Sequence, residues 1–139
     1  MASFEPLMRE FFTSARFAVA GASSAPHKFG NKLMRWYIER KLPVTPINPT
    51  SATIESISCV PALSHLPDAA HTSLSVVTPP KVTLQLLQEA NQLGIPYVWL
   101  QPGSEDEQCV RFAREQKMKV IYGGPCVLRD GDALLPSKL

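Results

Sequence analysis

The 139-residue sequence lacks the features of membrane and secreted proteins. No apolar run approaches the roughly 18 residues that cross a bilayer. The N-terminal segment MASFEPLMREFF has no basic region followed by an apolar one, so we expect no signal peptide. Charge of one sign is also missing, because 14 basic and 12 acidic residues leave a net charge of +2. This balance favours neither nucleic acid nor a membrane as a partner and leaves room for a small anionic molecule.

Cysteine and histidine are too few and too scattered to form a disulfide framework or a metal centre. The three cysteines, Cys59, Cys109 and Cys126, are odd in number and widely spaced, so reduced thiols are expected. The three histidines form no metal-binding pair. The sequence therefore predicts a cytoplasmic protein that holds no metal.

Apolar strand patterns alternate with helical patterns along the chain. The predicted strands are RFAVAGA, PVTPINP, TSLSVVT, PYVWLQ and KVIY, and the predicted helices are FEPLMREFFTS, FGNKLMRWYIERK, PPKVTLQLLQEANQLG and SEDEQCVRFAREQK. A short strand near 57–60 and one helical turn come between the second and third of these strands. For the third helix, Thr78 is the expected N-cap, Pro79 the first helical residue and Gly94 the C-cap.

This alternation predicts an α/β protein with one Rossmann-like, doubly wound and mainly parallel sheet that has helices on both faces. We expect a single domain over 1–139, with an N-terminal helix in 1–15, a core in 16–129 and an irregular tail in 130–139. In such sheets ligands bind outside the carboxyl ends of the strands. Four segments share that rim, namely 21–30, 48–50, 78–81 and 101–103.

The first rim segment, GASSAPHKFGN, predicts a phosphate-binding turn. Gly21 permits a sharp bend, Ser23 and Ser24 supply hydrogen-bond donors, and the following helix directs free N–H groups at the ligand. Lys28 adds positive charge. Ser23 occupies the place of the second glycine of a dinucleotide fingerprint. The second strand ends at Asn48, where NAD would require an acidic residue, so NAD is disfavoured and NADP stays open.

The other rim segments contain candidates for both binding and chemistry. Thr78 and Pro79 either cap a helix and nothing more or also line a pocket, and Gln101 offers a donor and an acceptor. His27 is the best-placed general acid or base, although a solvated histidine is the simpler interpretation. Glu105 fits the acidic first turn of a helix better than a catalytic cluster, and Cys126 fits a small buried residue better than a reactive thiol.

The segments VAGASSAPHKFGNKLMRWYIERKLPVTPINP, VVTPPK, VWLQPGSEDE and GGPC together resemble the small stand-alone CoA-binding proteins. Their fold is similar to the CoA-binding domain of the succinyl-CoA synthetase α subunit. The resemblance covers about 16–129. It implies that CoA lies across the strand ends. The ligand-binding residues that it implies are Gly21, Ser23, Ser24 and Lys28 at the phosphates, Gly30 in the same loop, Asn48 and Pro49 beside this first loop, Thr78, Pro79 and Pro80 along the nucleotide or pantetheine, and Gln101 and Gly103 near the far end.

Two functions from different classes remain open at this point. The first is binding of CoA or an acyl thioester without turnover. The second is an enzyme, a hydrolase or cyclase rather than a dehydrogenase, that releases or cyclises a polyketide-like acyl chain to a lactone or pyrone. Its candidate catalytic residues are His27, Glu105 and Cys126. An NADP-binding module is a weaker third interpretation, and assembly into a homodimer is compatible with all three.

Overall fold

The computed structural model describes residues 3–136, which form one α/β unit. The helices and strands follow each other in the order α1 Glu5–Phe11, β1 Arg16–Ala20, α2 Phe29–Glu39, β2 Val44–Ile47, β3 Thr53–Ile54, β4 Ile57–Ser58, β5 Thr72–Val76, α3 Pro80–Leu93, β6 Tyr97–Leu100, α4 Glu107–Glu115, β7 Val120–Ile121 and α5 Val127–Asp130. Short 3₁₀ turns occupy Leu63–His65, Ala69–His71 and Gly131–Leu134. Within 3–136 no helix combines the length and apolar character that a bilayer crossing requires.

The main sheet has five strands in the order β2-β1-β5-β6-β7, and each neighbouring pair is parallel. The last residue of β1, Ala20, lies between Ile47 of β2 and Val76 of β5. Beyond β2, Val60 forms a parallel bridge with Ile47. The chain winds outward from β1 in one direction and from β5 in the other. The topological switch point, where ligands bind in such folds, is therefore between β1 and β5.

Helices cover both faces of this sheet, which confirms the predicted fold class. On one face, α1, α2 and α5 enclose a cluster rich in aromatic side chains, including Phe11, Trp36 and Trp99. On the other face, α3 and α4 pack on the sheet through residues such as Leu87 and Ala113. All five residues of β5 are buried, as expected for a strand covered on both sides.

The segment between β2 and β5 differs from the sequence prediction. A two-stranded antiparallel hairpin, β3–β4, replaces the single short strand near 57–60, and only Val60 of the predicted strand end pairs with the main sheet. The hairpin turn is made by Glu55 and Ser56, whose φ angles are 51° and 65°. Turns of this kind usually contain asparagine or glycine, so the sequence carried no hairpin signal.

The start of α3 also differs by one residue from the prediction. Pro79 is the N-cap and Pro80 is the first helical residue. The expected Thr78 cap is wrong, because the Thr78 hydroxyl forms a 2.7 Å hydrogen bond with the hydroxyl of Thr83. The predicted C-cap is confirmed, since Gly94 has a left-handed φ of 73°.

The segment after β7 is more ordered than the predicted irregular tail. It contains α5 and a 3₁₀ turn that packs on α2. A Cβ atom on Gly131 would lie 2.5 Å from the Trp36 ring. The Arg40 guanidinium lies over the same ring at 4.3 Å and is paired with Asp132, which raises the pKa of Arg40 and lowers that of Asp132. This end of the described chain therefore holds the second half of α2 in place.

Candidate functional site

The turn after β1 brings the N-terminus of α2 into close contact with the sheet. Gly21 has a φ of 91°, and a Cβ atom there would lie 2.6 Å from the carbonyl oxygen of Val77. A Cβ atom on Gly30 would overlap the carbonyl oxygen of Gly21. Both glycines are therefore required for close packing. Gly21 packs against Val77, which follows β5, and Gly30 lets α2 pack against the turn after β1.

The first turn of α2 has backbone N–H groups that donate to no acceptor within the described residues. Lys28 is the N-cap with an extended backbone, and its side chain makes no capping hydrogen bond. Among the hydrogen bonds of residues 3–136, none has the backbone N–H of Phe29 or Gly30 as its donor. Both residues line a groove of about 530 Å³. The partial positive charge of the helix end is directed at this groove, which suits an anion such as phosphate.

The same groove contains several residues that the sequence assigned to the site. Ser23, His27 and Lys28 line it, together with Gly21 and Asn48. The Ser23 hydroxyl accepts a 3.1 Å hydrogen bond from the N–H of Ala25 and so shapes the loop itself. Ser24 is exposed and does not line the groove. Its predicted contact with phosphate stays a prediction.

A buried asparagine that the sequence did not reveal fixes this loop from below. Asn31 is 0% exposed, and its amide group donates to the carbonyl of Ser23 at 2.9 Å and to the carboxylate of Glu55 at 3.1 Å. Its side-chain oxygen accepts from Arg35 at 2.8 Å, and Arg35 also donates to the carbonyl of Pro26. The network joins the loop, α2 and the β3–β4 hairpin. An asparagine inside a helical pattern looks like an ordinary surface position, so no sequence signal marked it.

Asn48 performs a similar positioning role at the end of β2. Its amide donates to the carbonyl of Ala22 at 3.0 Å, while its side-chain oxygen accepts from the N–H groups of Thr50 and Ser51 at 2.8 and 2.9 Å. This is an Asx-type turn that ties the β2 loop to the β1 loop. The prediction that these two loops lie side by side is confirmed.

A second, more apolar cavity of about 260 Å³ adjoins the first and shares Gly21, Ala22 and Asn48 with it. Its walls come from the β1 and β2 ends, the segment around the first 3₁₀ turn, and one face of α3. The larger apolar lining residues are Ile47, Pro49, Pro61, Leu63, Val82 and Leu86. Thr78 also lines it, whereas Pro79 and Pro80 do not, and the assignment of these three residues to a ligand stays a prediction. Because they share these three lining residues, the two cavities lie side by side next to the switch point, and together they are called the groove below.

The fourth rim segment lies farther along the sheet and is partly closed. Gln101 is 0% exposed, and its side-chain oxygen accepts a 3.0 Å hydrogen bond from the N–H of Val127. Its amide nitrogen has no partner in the described chain. Gly103 is exposed with a φ of 89°. Neither residue lines the groove at the switch point, and their assignment to the far end of a ligand stays a prediction.

The three catalytic candidates are spread along the rim. His27 lines the groove beyond β1, whereas Cys126 follows β7. Three strand spacings, about 14 Å, separate β1 from β7 in the sheet. Glu105 uses one carboxylate oxygen to accept from the N–H of Gly123, on the β7 side. None of the three shares a hydrogen bond with another within the described residues, so no Cys–His pair is formed there.

The acidic segment before α4 behaves as a helix start. Asp106 is the N-cap, and its carboxylate accepts a 3.1 Å hydrogen bond from the N–H of Cys109. This bond holds the pKa of Asp106 below its usual value. The interpretation of Glu105, Asp106 and Glu107 as an acidic helix start is therefore confirmed for Asp106, the N-cap, and for Glu107, in the first turn, and is wrong for Glu105, which precedes the helix. In the part of the chain that the structure describes, no group of three histidine, cysteine or acidic residues is placed to hold a metal ion.

Comparison with known proteins gives the same fold and a family. A conserved hypothetical protein from Pyrococcus furiosus is 32% identical, with a TM-score of 0.78 over 83% of this chain and 97% of that one. A hypothetical protein from Pyrococcus horikoshii OT3 is 23% identical, with a TM-score of 0.85 over 97% of this chain and 94% of that one. The dinucleotide forming acetyl-coenzyme A synthetase 1 of Ca. Korarchaeum cryptofilum is 28% identical, with a TM-score of 0.70 over 89% of this chain but 28% of that one. The model of the CoA binding domain family matches residues 15–131, nearly the whole described chain, and the protein belongs to that family.

Proposed function

We propose that the groove at the switch point binds CoA or an acyl-CoA, with the ligand's diphosphate at the N-terminus of α2. The observation that carries this proposal is the pair of unused N–H donors on Phe29 and Gly30, which face the groove beside Lys28. A helix end with free donors and an adjacent cation is well suited to a diphosphate. Membership of the CoA binding domain family supports CoA as the source of that diphosphate.

The adjoining apolar cavity suits the adenosine of the same ligand. It borders the phosphate half of the groove at Gly21, Ala22 and Asn48. Its proline and aliphatic walls can cover the two faces of a planar base, which is the common way in which apolar pockets hold aromatic ligands. The pantetheine arm and any acyl group would then leave the groove on the β5–β6 side, toward Gln101 and Gly103.

NADP is a poorer match to the same groove. A dinucleotide site places an acidic residue, or an arginine for the 2′-phosphate, at the end of the second strand. Here that position is Asn48, whose side-chain oxygen is already used by Thr50 and Ser51. NADP is therefore a suitable control ligand.

Isothermal titration with CoA, acetyl-CoA and NADP tests the proposal. We expect the two CoA compounds to bind and NADP to bind much more weakly. Lys28→Ala should weaken CoA binding by roughly fivefold, because one charge-assisted contact to an exposed phosphate contributes about 1 kcal/mol. Lys32→Ala is the matched control, since Lys32 is an exposed lysine one turn farther along α2 that does not line the groove. Equal effects of the two substitutions would remove Lys28 from the site.

A further inference from the structure

The apolar half of the groove has an acidic lining residue and no basic one among the described residues. Within residues 3–136, Glu89 is the one ionisable side chain that lines it, and no lysine, arginine or histidine of that range does so. Glu89 lies on α3 three and seven positions after Leu86 and Val82, so the three side chains share one helix face. This wall of the cavity therefore presents two apolar groups and one carboxylate to a ligand.

The sequence around the cavity also lacks lysine and arginine. From residue 42 to residue 80 the chain contains no lysine or arginine, although this stretch includes β2, its loop, the hairpin and β5. Lys41 precedes β2 and lies at the end of that strand opposite the rim. Lys81 is exposed at the start of α3 and does not line the cavity. The basic residues Lys28 and His27 line the other half of the groove.

CoA differs from dephospho-CoA by one phosphate on the ribose 3′-hydroxyl. Phosphate monoesters carry a charge of about −1.5 to −2 at neutral pH, and proteins that read a ribose phosphate do so with arginine or lysine. A site that requires this group would place a cation beside the adenosine.

We propose that the groove recognises the adenosine and diphosphate of its ligand but does not recognise the ribose 3′-phosphate, so that dephospho-CoA binds as well as CoA. This inference rests on the proposed function and on the placement of adenosine in the apolar cavity. The ligand class is then adenosine diphosphate carrying a pantetheine or similar arm, with or without the 3′-phosphate. Glu89 is the residue that determines this tolerance, because its carboxylate occupies the wall where a cation would be needed.

Titration of the wild-type protein with CoA and with dephospho-CoA, at one ionic strength, gives the first test. We expect the two dissociation constants to agree within about threefold, a difference of less than one charge-assisted contact. Binding of CoA tenfold or more tightly than dephospho-CoA would overturn the inference and leave the proposed function intact. Binding of neither compound would overturn both.

Two variants locate the effect. Glu89→Lys should create a preference for CoA over dephospho-CoA of about fivefold or more, because it introduces the missing cation. Lys81→Ala should leave the ratio of the two constants unchanged. An unchanged ratio in Glu89→Lys would mean that the ribose lies elsewhere, and a loss of affinity for CoA alone in Lys81→Ala would mean that Lys81 reads the phosphate. Either result would refute the inference.

Discussion

Replacing Gly30 with alanine has two opposite effects on stability, one from the packing of α2 against the turn after β1 and one from helix propensity. Alanine is the better helix former by about 1 kcal/mol, so propensity alone would stabilise the variant. The added Cβ atom, however, would overlap the carbonyl oxygen of Gly21 and lie 3.0 Å from its carbonyl carbon and 3.1 Å from the Cα of Ala22. These are backbone atoms, which cannot rotate away as a flexible side chain can.

The structure allows the size of the effect to be worked out. To restore a van der Waals separation of about 3.5 Å from the Gly21 carbonyl oxygen, the first turn of α2 has to move by roughly 1.4 Å from the turn after β1. Overpacking costs about 1–3 kcal/mol, and because the overlapped atoms here are backbone atoms we expect the upper part of that range, about 2–3 kcal/mol, which exceeds the gain in propensity. The N–H groups of Phe29 and Gly30 move with the helix. Because hydrogen bonds to charged groups contribute about 1.5–3 kcal/mol each, CoA affinity should fall by tenfold or more.

Urea unfolding and titration with CoA measure the two effects on the same protein. Gly94→Ala is the control, since Gly94 has a φ of 73°, open space around it and a position at the end of α3 remote from the groove. That variant should lose about 1 kcal/mol of stability from backbone strain and keep its CoA affinity. A Gly30→Ala protein as stable as the wild type, or one that binds CoA equally well, would refute the packing argument.

Two further predictions concern neighbouring contacts. Asn31→Ala removes the donor to Ser23 and Glu55 and should lower the free energy of unfolding by about 1–3 kcal/mol. Amide hydrogen exchange over 22–28 should become faster because the loop loosens. Unchanged exchange there would contradict the role given to Asn31. Asp106→Ala removes the N-cap of α4 and should lower the melting temperature at neutral pH. Because the folded state lowers the pKa of Asp106, its contribution is present above the ordinary aspartate pKa and is lost as the pH falls through the lowered one. Calorimetry should therefore show the wild type and this variant converging in acid, and a constant difference would count against the cap.

The sheet could be predicted from the sequence because its strands are short apolar runs between well-marked helices. The helix ends that separate the strands were also marked, since Gly94 is the C-cap of α3 as its place in the sequence predicts. Elements without a local signal were missed. The four-residue helix α5 is too short to show a helical period. Two consecutive prolines shifted the start of α3 from Pro79 to Pro80 and left Thr78 to bond with Thr83.

The candidate site was predictable where it depends on chain order and unpredictable where it depends on contacts across the fold. Gly21, Lys28 and Asn48 meet because the carboxyl ends of β1 and β2 share one edge. The partnership of Asn31 with Glu55 spans 24 residues and depends on the hairpin, which no turn residue announced. The burial of Gln101 likewise follows from the packing of α5, not from the sequence around it.

The hairpin turn has a consequence for attempts to make the protein more robust. Left-handed backbone at Glu55 and Ser56 costs about 1–2 kcal/mol at each residue, a cost that glycine or asparagine would largely remove. At Ser56 this gain is free, because its side chain has no hydrogen bond in the described structure. At Glu55 the same gain would cut the link to Asn31. These two adjacent left-handed positions thus differ in evolutionary freedom. Ser56 is open to thermostabilising change, whereas a change at Glu55 trades folding stability against the order of the loop after β1.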